Sequence, residues 1–368
     1  MRIPPLHFDW YRKHDSYQIY EMGEQALESL SVEKFLAGYS TQTYDDTFQK
    51  FGPTAHSTMI SMVMWARCGQ HAYVVGPKVA DALCRTNLTG IKPSMLTPTH
   101  SVFYIALPDC PWEQWGGAET QWHRVTGVYV LYTTRMNRET MKPELGIHCV
   151  VWGAPNEHSR NPLDDIVYWF SVPVGEAEGS DLETHYGEAP VATEGVFGAS
   201  VDEAFQEEFS STNEEHKTKQ REMARNVFRL AVNLILYIQS EDAEVELLDR
   251  DPERKKLSAA IKRAKKPGNK KKLQRRLDNL PKTVIRYIGP KMERKLATAE
   301  REQAEREVGA RSSPVRHLVR PHWNYYWVGS GENKRRVSRW IALYERGVTA
   351  ERTVTVVRET AQLDKERT

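Results

Sequence analysis

His317 and His322, followed by Lys334, Arg335 and Arg339, are the side chains of this chain best suited to act on a phosphodiester. In a metal-independent ribonuclease, one imidazole takes the 2′-hydroxyl proton and a second protonates the leaving oxygen. A cation stabilises the phosphorane between them. The spacing works against that chemistry. Five residues apart on a strand, the two rings point to opposite faces unless Pro321 bends the chain. Binding suits the same stretch better. Between Pro314 and Gly347 the chain packs three Trp, three Tyr, two His and seven Arg or Lys. Rings beside fixed cations are what a single-stranded nucleic acid needs, with bases stacking while phosphates pair with Arg. The residues assigned to contact with RNA or a partner are His317, Arg320, His322, Trp323, Tyr326, Trp327, Lys334, Arg335, Arg339 and Trp340. The rings would stack and the cations would hold phosphate. The competing reading is a hairpin whose aromatics fill a core and whose two His fix it through buried hydrogen bonds.

Positioning these residues requires a hairpin. Gly329-Ser330-Gly331-Glu332-Asn333 is a turn signal with apolar-aromatic runs on both sides, which predicts two antiparallel strands joined by a short loop. Alternation then sets Trp323, Tyr325 and Trp327 on one face and His322, Asn324 and Tyr326 on the other. Lys334, Arg335, Arg336 and Arg339 lie on the return strand. The expectation is that this surface faces outward as a docking platform.

The string His317-x-x-Arg320-x-His322-Trp323-x-x-Tyr326-Trp327-x-Gly329-x-Gly331, followed by Arg339-Trp340, resembles the C-terminal signature of an anti-CRISPR family. Members of that family act against the type V-A effector nuclease. A fainter likeness extends to Leu107-Pro108-Asp109-Cys110 and to the apolar helix near residue 230, and Pro321 stands where the family tends to have Gly. The resemblance implies a regulator carried by phages or plasmids that recognises a nascent polypeptide and depletes the corresponding mRNA. Its implied partners are the nascent chain of a target, such as a CRISPR effector, and the RNA or ribosome around it. The implied setting is the cytoplasm of a bacterial host. A protein–protein module without nucleic-acid contact is the third reading.

Charge is segregated along the chain. The formal net charge of +2 conceals fourteen Asp or Glu and no Lys or Arg between Asn161 and His216. Between Pro252 and Arg286 fourteen Lys or Arg meet only Glu253 and Asp278. Leu257, Ile261, Leu273, Leu277 and Leu280 give that basic tract a thin apolar stripe, broken at Pro267-Gly268, which predicts two short amphipathic helices. Lys262, Arg263, Lys265, Lys266, Lys270, Lys271, Lys272, Arg275 and Arg276 would form a polyanion-contacting surface that gains affinity from counterion release.

The remaining pattern predicts an α+β fold. The first hundred residues read as helical, with a core helix over Ser57–Arg67 stopped near Gly69 and a second opened by Pro77. Met59, Met62 and Met64 belong to that core helix in preference to a peptide-accommodating face. Ser101–Leu107, Val125–Thr133, Gly146–Trp152 and Ile166–Val172 are rich in β-branched and aromatic residues and read as an antiparallel meander. Met223–Ile238 reads as a buried helix, Ala297–Val308 as a charged one, and Thr353–Val357 as an edge strand. The organisation that follows is a helical part over 1–100 and a sheet with acidic loop and buried helix over 101–245. A basic helical region over 246–310 and the aromatic-basic hairpin region over 311–368 complete it. Cys68, Cys84, Cys110 and Cys149 are scattered without a C-x-x-C pair, which fits a reducing compartment. Cys110, between Asp109 and Pro111, has no evident base beyond His123 and reads as a structural thiol. No phosphate-cradling Gly loop, zinc-ligand spacing or nucleotide fingerprint is present, so neither cofactor nor metal is expected. The longest apolar run, Val227–Ile238, is broken by Arg229 and Asn233 and is too short to span a bilayer.

Overall fold

The computed structural model describes residues 19–28, 30–37, 39, 42–108, 110, 112–116, 121–136, 143–155, 166–174, 182, 214–240, 243–248, 251–264, 266–278, 283–308, 317–319, 322–331, 334–341 and 344–346. The acidic loop and the strand expected over Thr353–Val357 lie outside them.

The β-rich runs of the middle of the chain become strands because their side chains can be buried on both sheet faces. In chain order the elements are α1 (Ile19–Ala26), α2 (Val32–Leu36), α3 (Gln42–Arg67), β1 (His71–Val75), α4 (Pro77–Cys84), β2 (Val102–Ala106) and β3 (Glu113–Gly116). Then come β4 (Gln121–Met136), β5 (Pro143–Pro155), β6 (Ile166–Pro173), α5 (Glu214–Gln239), β7 (Val245–Leu247), α6 (Asp251–Arg263), α7 (Pro267–Asp278) and β8 (Val284–Ile288). The chain continues with α8 (Pro290–Val308), β9 (His317–Val319), β10 (His322–Val328), β11 (Arg335–Ile341) and β12 (Tyr344–Arg346).

The principal sheet has eight strands in the order β6-β5-β4-β2-β1-β8-β7, with β3 attached to β4. From β2 through β6 it is the expected antiparallel meander. Beyond β2 it departs from expectation. Strand β1, inside the stretch read as helical, runs parallel to both β2 and β8. Strand β7 then closes that side antiparallel to β8. The fold is therefore α+β on a mixed sheet that draws strands from the beginning, middle and later parts of the chain.

Period-two alternation sends side chains to two separate cores. Ala72, Val74, Tyr104, Tyr129, Val150 and Trp152 face Met59, Met62, Val63 and Trp65 of α3. This confirms the methionines as core. Residues 56–65 are all buried, and the helix continues back across Gly52-Pro53 to Gln42, well before the expected start. Arg67 ties its end to the α1 region, donating to the carbonyls of Leu27 and Leu30 and pairing with Glu24 at 2.6 Å. On the opposite face Tyr73, Phe103, Val128, Val130, Cys149 and Val151 meet α4 and α5. From Val227 to Tyr237 α5 is buried at every position except Arg229, as an all-round apolar helix must be.

The parallel β1–α4 unit offers a helix N-terminus that could hold an anion. The chain fills it with its own carboxylate. Glu293 of α8 accepts from the amides of Lys78 and Val79 at 3.1 and 2.9 Å. A Cβ on Gly76 would lie 2.5 Å from that carboxyl group, so only glycine lets it approach. Glu244 does the same for α8, accepting from the amides of Lys291 and Met292.

Candidate functional site

The expected hairpin is present. β10 and β11 pair antiparallel in the register Trp323↔Trp340, Asn324↔Arg339, Tyr326↔Val337, Trp327↔Arg336 and Val328↔Arg335. After β10 the chain turns at Gly329 and Gly331, whose φ angles are +98° and +59°. Alternation is also as expected along β10, where Asn324, Tyr326 and Val328 are exposed and Trp323 is buried.

What differs is the destination of the tryptophans. The expected outward platform requires Trp323 and Trp340 to offer their rings to solvent, and both are enclosed, at 9% and 8% exposure. They join the core beneath α5. Trp323 donates its indole N–H to Asn233 Oδ1 at 2.7 Å, and Trp340 meets Tyr237 edge to face at 5.0 Å. Asn233 is fully buried and uses its remaining donors on the carbonyls of Leu83 and Thr86, at 2.8 and 3.1 Å. One amide on α5 thus binds the hairpin on one side and the end of α4 on the other. Burying so much ring area outweighs any stacking surface the two indoles could have offered. A stacking role for Trp323 and Trp340 is corrected accordingly. They anchor the hairpin.

The other hairpin residues divide by position. Tyr326 is 43% exposed, Lys334 is exposed and His322 is half-buried at the start of β10. Arg335 and Arg339 occupy β11 opposite Val328 and Asn324. Trp327 stands opposite Arg336, and Arg320 lies outside the described residues. His317 begins β9, which pairs with β12 in a ladder separate from the hairpin, opposite Arg346. The two histidines of the ribonuclease reading therefore sit in different two-stranded sheets.

The basic tract forms the two predicted helices. Between α6 and α7 runs a groove of about 810 Å³ with Ala259, Ala260, Ala264 and Leu273 along its floor and Lys255, Lys256, Arg263, Lys272 and Arg276 around it. Of the predicted contact residues, Lys262, Arg263, Lys266, Lys270, Lys271, Lys272, Arg275 and Arg276 are exposed; Lys265 lies outside the described residues. Among the described residues none of these eight is in an ion pair. So dense an exposed field attracts phosphate and repels its own kind.

The thiols offer no nucleophile. All four cysteines are unpaired. Burial pushes the Cys110 thiol up to about 12 and the half-buried Cys68 to about 11, far from thiolate at neutral pH. Sequence reasoning missed a different cluster, in which His71, His100, Tyr73 and Arg286 converge where β1, β2 and β8 run side by side. Arg286 lies far along the chain from the other three, so only the strand pairing reveals the cluster. Among the described residues no helix is long and apolar enough to cross a membrane, and no group of three or more His, Cys, Asp or Glu is placed to hold a metal ion.

The comparison with protein families reaches well beyond the hairpin. The sequence profile of the AcrVA2-like family, anti-CRISPR type V subtype A2, matches residues 73–342. A search of curated proteins found no match. Among solved structures the chain is similar to one titled "Crystal structure of AcrVA2", with 11% sequence identity and a TM-score of 0.48, covering 92% of this chain and 97% of that one. The family match begins inside β1 and ends just past the hairpin, taking in the sheet from β1 onward, α5 and the basic helices and leaving out α1–α3. The chain belongs to the type V subtype A2 anti-CRISPR family.

Proposed function

We propose that this anti-CRISPR chain recognises a nascent polypeptide of a CRISPR effector and lowers the abundance of its mRNA. Contact with the RNA or the ribosome runs through the α6–α7 surface. The observation that carries the reading is the set of eight exposed cations, seven on two consecutive helices and Lys266 between them, without carboxylate partners among the described residues. The exposed side of the hairpin, with Asn324, Tyr326 and Lys334, extends the contact. The anchored tryptophans hold that side rigid, so a ring and a cation are presented without an ordering cost. Such contact is phosphate-directed and indifferent to sequence, so the choice of message must come from the polypeptide.

The deciding experiment crosslinks the tagged protein in cells that express a type V-A effector, then sequences bound RNA and identifies bound peptides from one sample. The expected result is one enriched transcript together with the N-terminal peptide of its own product. Enrichment of neither would overturn the proposal. Peptide capture with no RNA recovered would move the reading to a protein–protein module.

A further inference from the structure

Three side chains, from β1, β8 and the approach to β2, meet at one corner of the principal sheet. His71 is the first residue of β1, His100 lies two residues before β2, and Arg286 is at the centre of β8. The register sets Tyr73 beside Arg286, so the ring and the guanidinium share a sheet face with His71. The two imidazoles stack with centroids 3.4 Å apart and planes within 5°. Arg286 Nη1 lies 3.1 Å from His71 Nδ1, and its guanidinium carbon sits 5.8 Å from the centre of the Tyr73 ring. A guanidinium has no lone pair to offer, so Arg286 donates and His71 is the neutral tautomer protonated at Nε2. On the other side of Arg286, Leu247 of the edge strand β7 is 58% exposed, which leaves this corner of the sheet open.

The cluster is short of negative charge. Arg286 is half-buried, and none of the ion pairs among the described residues includes it. Its described hydrogen bond goes to a neutral ring, which is a poor partner for a partly desolvated cation. Burial first, then the charge of Arg286 and, for His71, the neighbouring His100 ring, hold both imidazoles below their ordinary range, His71 at about 4. His100 Nε2 is shut off from solvent and has no hydrogen-bond partner among the described residues. An orphaned buried nitrogen beside an uncompensated cation marks a place for an acceptor that the protein itself does not supply.

We propose that Arg286, His71 and His100 form an oxyanion site that takes a phosphate group at the open corner of the sheet. The remaining guanidinium N–H groups bind two phosphate oxygens as a fork. His100, as the neutral tautomer protonated at Nε2, donates that N–H to a third oxygen. A tetrahedral phosphate offers a separate oxygen to each of the three donors, whereas a planar carboxylate must meet them with two oxygens in one plane. Tyr73, Gln70 and Thr283 are polar side chains at this corner among the described residues, and none of the three carries negative charge at neutral pH. The site is separate from the α6–α7 surface and independent of the function proposed for it.

The test follows the imidazole carbon-bound protons of the full chain by NMR at pH 6.5 and constant ionic strength. The probes are inorganic phosphate, uridine 5′-monophosphate and acetate. Saturable shifts of His71 and His100 with phosphate, at least tenfold weaker in Arg286→Gln, are expected. Stronger saturation by the nucleotide would assign the phosphate to a nucleotide or RNA terminus, and equal saturation to the free ion. His100→Asn keeps the test informative if the Arg286 variant does not fold, since it should weaken phosphate at least fivefold. Shifts that never saturate, that persist in both variants, or that acetate reproduces at equal concentration would overturn the proposal.

Discussion

The hairpin and the α6–α7 helix pair are both cationic, and the fold treats them in opposite ways. The hairpin directs Trp323 and Trp340 into the core beneath α5 and leaves a narrow outer strip of Asn324, Tyr326 and Val328. The helix pair commits little beyond Leu257 to burial and holds its cations in solvent around a small-residue groove. The difference teaches that ring density and charge density are separate signals. Rings gain most from enclosure, whereas uncompensated cations can only stay outside.

The sharpest way to break this contrast is at the anchor. Trp323→Ala should destabilise the fold by about 3–5 kcal/mol, the usual cost of emptying a large aromatic site, as measured by chemical denaturation. A loss below 1 kcal/mol would show that the hairpin does not depend on its core contact. Asn233→Leu comes next, at about 2–4 kcal/mol, because it strands the Trp323 indole N–H and the carbonyls of Leu83 and Thr86. Its effect should not add to that of Trp323→Phe, since both remove one hydrogen bond, and a double-mutant cycle reads the coupling. Glu293→Gln should cost about 1 kcal/mol by weakening the charged cap on α4. Reversing three helix cations, Lys270→Glu, Lys271→Glu and Arg275→Glu, should change stability by no more than about 0.5 kcal/mol, as exposed surface changes do.

A pH measurement sharpens the comparison from a third region. His71 titrates at about 4 when folded, below its ordinary value of 6.5. The unfolded chain therefore binds the proton first as pH falls, and the folded state loses stability between pH 6.5 and about 4. His71→Asn should flatten that part of the stability profile measured without phosphate. An unchanged slope would mean that the ring is already charged in the fold.

Much of this architecture was legible in the sequence, and what was missed has a common physical origin. The meander strands, the paired basic helices and the hairpin announce themselves through local period and turn residues. Strand β1 did not. Its five residues, HAYVV, lie in a parallel sheet buried on both faces, where a short apolar run is indistinguishable from core helix. Asn233 read as an interruption of an apolar helix because its partners lie near residues 83, 86 and 323. Alternation in β10 divided the two faces correctly, but which face turns inward is decided by α5. The His71, His100 and Arg286 cluster shows the same limit, because strand pairing brings Arg286 to a histidine 215 residues earlier in the chain.

The central claim, that the α6–α7 cations carry this anti-CRISPR chain to its message, is tested most directly by transcript abundance. In cells expressing a type V-A effector, effector mRNA would be quantified with the wild-type chain, with the triple charge reversal on α7, and with Arg335→Glu plus Arg336→Glu on the hairpin. The account predicts depletion by the wild type, none by the α7 variant at equal protein level, and partial depletion by the hairpin variant. Full depletion by the α7 variant would contradict it.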